Sequence, residues 1–89
     1  MRDEAVTPPG VTPTAELVEY LARRLVEKPD AVRVEEFDED GDNVIELHVD
    51  GDDLGRVIGR GGRIARALRA LVRAGGAHGD GRVLLDIVE

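Results

Sequence analysis

The chain has 89 residues, no cysteine, no serine, one tyrosine, one phenylalanine, and 19 acidic against 12 basic side chains, for a net charge of −7. That length makes one small domain, able to bury only about 60% of its unfolded surface, and the composition excludes a disulfide framework, a thiolate metal site and a cysteine or serine nucleophile. No apolar run is long enough for a signal-peptide core or a membrane span, so a cytoplasmic protein is expected.

Residues 1–11 hold two prolines, a glycine and mixed charge without periodicity, and read as a flexible N-terminal tail ahead of a single domain over 12–89. Thr12-Pro13 has the form of a helix start, with Thr12 as N-cap and Pro13 in the first helical position. Leu17, Val18, Leu21, Leu25 and Val26 then recur at helical spacing, which predicts a core stripe, and Pro29 is the expected stop. Ala31 to Phe37 alternates, Val32 and Val34 against Arg33 and Glu35, as a half-buried strand does. Phe37 falls out of step, through a bulge or because the strand has ended. Asp38 to Asn43 is a turn with Asp-Gly at its centre, and the return strand Val44–Val49 sets Ile45, Leu47 and Val49 against Val44, Glu46 and His48. The two strands should be antiparallel neighbours.

After Asp50-Gly51-Asp52-Asp53, with Asp52 or Asp53 as N-cap, Leu54, Val57 and Ile58 are spaced as a short buried helix ending at Gly59. Gly59-Arg60-Gly61-Gly62 follows. A second helix begins at Arg63: Ile64, Leu68, Leu71 and Val72 make a core stripe, Arg66, Arg69 and Arg73 an opposing arc, with Arg63 at its edge. Residues 74–81 carry four glycines as a connection, and 82–88 alternate Val83, Leu85 and Ile87 with Leu84, Asp86 and Val88 as a last strand. The order is helix, strand, strand, helix, loop, helix, strand. It predicts an α+β sandwich of two layers, a three-stranded sheet with helices on one face.

The glycine loop is the candidate site. Glycines let the backbone take closed-off conformations and let another backbone approach closely, arginine offers a fork suited to phosphate, and the start of the following helix favours negative charge. A dinucleotide fingerprint fails, because Ile64 stands where its third glycine is needed and a helix precedes the first. A Walker loop fails for want of Gly-Lys followed by Ser or Thr. An EF-hand aligned on Gly41 fails because Leu47 falls where a bidentate carboxylate is required. His48 and His78 are thirty residues apart with no partner at ligand spacing, so no metal site, no cofactor and no catalytic set is expected.

Gly59-Arg60-Gly61-Gly62 between two helices, with Ile58 before it and Ile64 after it, resembles the signature loop of the KH domain, which clamps about four nucleotides of single-stranded nucleic acid. The longer string from Asp53 through Leu68 is similar to the small single-KH bacterial RNA-binding proteins called KhpA, and the resemblance extends over roughly residues 14 to 88. It implies the type II KH fold, α-β-β-α-α-β, with strand 44–49 parallel to strand 82–88. It implies a non-enzymatic binder of single-stranded RNA with a post-transcriptional or RNA-chaperone role and a link to cell-envelope and cell-shape regulation. As partners it implies a second copy or a larger KH-containing protein. No membrane and no small-molecule substrate are expected.

Residues 1–54 hold 5 basic and 16 acidic side chains, a balance of −11, and the remainder hold 7 and 3, a balance of +4. Six arginines and no acid lie between Gly55 and Arg73. A local field can steer a polyanion although the total is negative. Arg60 is expected on phosphate, with Arg63 and Arg56 extending the track; Ile58 and Ile64 would floor the groove, and Arg66 divides between groove and solvent. Tyr20 and Phe37 lie outside the loop unit, so aromatic base-stacking platforms are not available there. Val44, Leu84 and Val88 offer a modest apolar patch for a partner. The alternative is a KH-fold interaction or dimerisation module whose acidic half recognises a basic protein, and single-stranded DNA stays open as a ligand.

Overall fold

A computed structural model describes residues 12–75 and 82–89; the expected N-terminal tail and most of the glycine-rich connection lie outside them. Helix α1 (Pro13–Leu25) is followed by a 3₁₀ turn (Pro29–Ala31), strands β1 (Arg33–Glu39) and β2 (Asp42–His48), and a second 3₁₀ turn (Gly51–Asp53). Helix α2 (Leu54–Ile58), a third 3₁₀ turn (Arg60–Gly62), helix α3 (Arg63–Gly75) and strand β3 (Val83–Val88) complete the chain. The sheet order is β1-β2-β3. β1 and β2 are antiparallel, and β2 and β3 are parallel, with Asn43 opposite Val83 and His48 opposite Val88. The fold is the expected α+β arrangement of type II KH topology, with the helices packed on one face of the sheet.

Helix α1 starts as its sequence requires, with Thr12 Oγ1 accepting from the Ala15 amide at 3.2 Å. Its start is fixed to the sheet by Glu36, whose carboxylate accepts from the Thr12 amide at 2.7 Å and from Asn43 Nδ2 at 2.6 Å. The buried face differs from the expected stripe. Ala15, Val18 and Ala22 are buried, whereas Leu17 and Leu25 are 42% and 36% exposed. Small residues let the helix backbone lie close to the sheet, and the larger leucines are turned toward its flank. The helix also ends short of Pro29, at Leu25: the Val26 amide still donates to the Ala22 carbonyl at 3.2 Å, but the amides after it leave the helical ladder. The Glu27 and Lys28 N–H groups both donate to the carboxylate of Asp53, each at 3.1 Å.

The two-residue turn Asp40-Gly41 takes positive φ at both positions, the geometry that matches strand twist in tight hairpins. β1 runs without a bulge through Glu39, so Phe37 is not out of step with the strand. It sits opposite Val44 on the outer face, and the helix-side position next to it is taken by Glu36. Ile45 and Leu47 from β2, Val57 from α2, Leu68 and Val72 from α3 and Leu85 from β3 join the small residues of α1 in one core. Burial of each such aliphatic side chain contributes about 1.5–3 kcal/mol, enough in sum to hold α2 and α3, and hence the loop between them, against the sheet.

Candidate nucleic-acid interface

The loop is shaped by its glycines and by Ile64. Gly59 has φ 79° and ψ 167°, and a Cβ there would stand 2.9 Å from the Ile64 amide nitrogen and 2.7 Å from its Cγ1. The chain therefore passes directly over the first turn of α3, and only glycine fits. Gly61 is left-handed, φ 63° and ψ 16°, with no atom within 4 Å of a Cβ position. The Gly62 amide donates to the Gly59 carbonyl at 3.0 Å, closing the turn. Arg66 Nη1 donates to the Gly61 carbonyl at 2.9 Å, so this arginine braces the loop. Arg60, between the glycines, is exposed.

From that point a basic stripe runs along α3. Arg66, Arg69 and Arg73 fall on one helix face, and Arg69 Nε reaches the Leu85 carbonyl of β3 at 3.4 Å. Arg69, Arg73 and Arg82 line a cleft of about 680 Å³ whose other wall is β3 from Val83 to Asp86. β3 is the sheet's edge strand, so on its outer side backbone N–H and C=O groups face the cleft without a strand partner among the described residues. Arg82 is fixed there by Asp42, which accepts from Arg82 Nη2 at 3.0 Å and from its amide at 3.3 Å. That pair holds the Asp42 carboxyl below its ordinary value of 3.8, chiefly through the side-chain hydrogen bond and then the amide.

The other expected residues are distributed differently. Arg56 turns from the loop to the end of α1, with Nη2 2.9 Å from Glu27 Oε2 and Nε 3.4 Å from Asp53 Oδ1. Arg63 and Ile64 line a second groove, between α1 and α3, with Leu21, Arg24, Leu25, Ala67 and Leu71, a space of about 350 Å³. Ile58 is 39% exposed at the end of α2. The outer-face patch shrinks, since Val44 is only 3% exposed beside Phe37 and Leu84.

Two features were not read from the sequence. Asp53 does not cap α2 with its side chain; it is buried, 1% exposed, and binds the chain that leaves α1. Its cue was present only as an acid at the start of a short helix, since the groups it holds lie about 25 residues upstream. Arg82 read from the sequence only as the first residue of the last strand; it lies just before β3, and its place in the cleft depends on the parallel pairing of β2 with β3.

A glycine loop joining two helices, packed on a three-stranded sheet of this order, defines a KH domain of type II. Residues 15–87 match the family model described as KhpA/KhpB, KH domain. The chain is 49% identical to the RNA-binding protein KhpA of Halalkalibacterium halodurans, over 82% of this chain and 96% of that protein. It is 49% identical to the KhpA of Aquifex aeolicus over 83% and 94%, and 42% identical to that of Treponema pallidum over 89% and 99%. The chain belongs to the KhpA/KhpB KH-domain family, whose members are binding proteins and not enzymes.

Proposed function

We propose that this chain is a single KH domain, over residues 12–89, that binds single-stranded RNA through the Gly59–Gly62 loop and the arginine cleft continuous with it. The observation that carries the reading is the run of Arg60, Arg66, Arg69, Arg73 and Arg82 from the loop to the open edge of β3. Phosphates would meet the loop amides and the arginines, while bases turned toward β3 would find backbone groups without a strand partner among the described residues, and aliphatic walls. The relatives are named as RNA-binding proteins, which favours RNA over single-stranded DNA. Arg63, Ile58 and Ile64 flank this track, and Arg56 serves it by fixing α2. With no aromatic platform in the cleft, affinity is modest and sequence preference slight.

Replacing Arg60 and Gly61 together by Asp tests the proposal, because Gly61 has space for a side chain and its left-handed backbone tolerates Asp. With the fold checked by circular dichroism, RNA crosslinking and filter-binding affinity should fall at least about tenfold, roughly one charge-assisted contact. Unchanged binding overturns the reading.

A protein contact is supported by a separate feature. The α1–α3 groove is largely apolar and lined by the exposed Leu25 with Leu21, Leu68 and Leu71, which fits a second copy of the chain or a larger KH-containing partner. Pairing two weak sites would raise RNA affinity by avidity. The same family resemblance supports a cytoplasmic bacterial protein with a post-transcriptional or RNA-chaperone role tied to the cell envelope. Among the described residues no helix is long and apolar enough to cross a membrane.

A further inference from the structure

The outer face of the sheet is turned away from the helices, and the RNA reading uses it only at β3. The strand register lays out three rows across it: Phe37, Val44 and Leu84; Glu35, Glu46 and Asp86; Arg33, His48 and Val88. The middle row aligns three carboxylates, and like charges directly opposite one another destabilise a sheet. Arg33 Nε answers part of this charge from 3.3 Å beside Glu35. His48 lies against two of the three carboxylates, with Nε2 3.0 Å from Glu46 Oε1 and 3.8 Å from Glu35 Oε1.

We propose that His48, Glu46 and Glu35 form a binding site for a divalent transition-metal ion of the zinc class. Their ligand atoms all lie within 4.8 Å of one another. An ion bonded at about 2.0–2.2 Å to each would draw them to roughly 3–3.5 Å apart. The Glu35 side chain is 51% exposed and has the freedom to close that gap by rotation, whereas His48 is 17% exposed and held. Glu46 and His48 are two residues apart on one strand and so project side by side from the same face. Glu35 stands directly opposite Glu46 on the neighbouring strand, and the tight Asp40-Gly41 turn locks the register that brings them together.

Three ligands are thus supplied by one rigid hairpin, with solvent free to complete the shell. An imidazole with two carboxylates selects zinc-like ions over magnesium and calcium, which prefer oxygen-only shells. The ion would offset the charges of Glu35 and Glu46, two of the three carboxylates in the row, and release Glu35 from Arg33. The spacing along the chain leads to the expectation of no metal site, because Glu46 alone lies close to His48 in sequence and the third ligand arrives by strand pairing.

The test uses the full chain, stripped with chelator and titrated with zinc chloride by calorimetry, with thermal unfolding followed in parallel. Saturable binding of one ion per chain and a rise in Tm are expected, both surviving excess magnesium. His48→Gln and Glu35→Gln should each weaken binding by at least about tenfold and remove the Tm rise, while His78→Gln, which removes the chain's other histidine, should change neither. Glu35→Gln lies at an exposed position and keeps the test valid if His48→Gln is poorly folded. Absent or unsaturable zinc binding in the wild type, undiminished binding in Glu35→Gln, displacement by magnesium, or loss of binding in His78→Gln would each overturn the site.

Discussion

Gly59 and Gly61 belong to one motif but answer to different constraints. At Gly59 a side chain meets the Ile64 backbone and φ is positive with an extended ψ, a combination close to glycine-only. Gly59→Ala should therefore cost about 1–3 kcal/mol or more, read as a lower urea midpoint, whereas Gly61→Ala should cost only about 1–2 kcal/mol and leave the α3 start intact. Equal costs would contradict the loop geometry. The motif itself was legible, since its glycines and flanking isoleucines are contiguous. The division of the arginines was not. Arg56 and Arg63 read alike as extending the loop's basic track and Arg66 as divided between groove and solvent, yet the first is tied to Glu27 and Asp53, the second borders the α1–α3 groove and the third braces the loop. Which way an arginine turns is decided by acids and carbonyls brought near by folding, which linear spacing does not display.

At the scale of elements, Asp53 connects the end of α1 to the start of α2. Asp53→Ala leaves the Glu27 and Lys28 amides without their acceptor and should cost about 2–4 kcal/mol, as expected for two part-buried donors. Urea unfolding measures it, and a change below about 0.5 kcal/mol, the ordinary surface range, would show that the carboxylate does not organise this junction. The Asp42–Arg82 pair joins the starts of β2 and β3. Because Arg82 depresses the Asp42 carboxyl, the folded state binds that proton less readily than the unfolded chain. Its stabilisation is complete above the ordinary carboxylate value of 3.8 and is lost as pH falls through the depressed one. Asp42→Asn should accordingly lose stability at neutral pH and converge on the wild type in acid, a difference visible in unfolding curves across the two conditions. A gap that widens in acid would contradict the pairing.

Apart from the end of α1, which comes at Leu25 rather than at Pro29, the strands and helices themselves were legible to within a residue or two, because their periods differ and their turns carry Asp-Gly, Gly59 and a threonine cap. The face of α1 was misjudged where alanine, counted as neutral in a search for large apolar residues, proved to be the packing surface. The parallel pairing of β2 and β3 came from family resemblance, since a period of two fixes neither direction nor neighbour.

Across the whole molecule, the excess of acid does not spread evenly. β1 and the hairpin, which carry Glu35, Glu36, Asp38, Glu39 and Asp40, lie at one edge of the sheet, while the arginine cleft lies beyond β3 at the other. Such separation admits a polyanion at one side while the acidic side limits non-specific attachment. RNA affinity should fall with salt along a log–log slope of about −0.7 for each phosphate neutralised, and changing Arg69 and Arg73 to Gln should flatten it by about 1.4. The most direct measurement is a titration of isotope-labelled protein with a short single-stranded RNA, followed by amide chemical shifts. Shifts concentrated at residues 59–66 and along β3 are predicted. Shifts confined to β1 and the acidic hairpin, with the loop and β3 silent, would contradict RNA recognition by the loop and its arginine cleft.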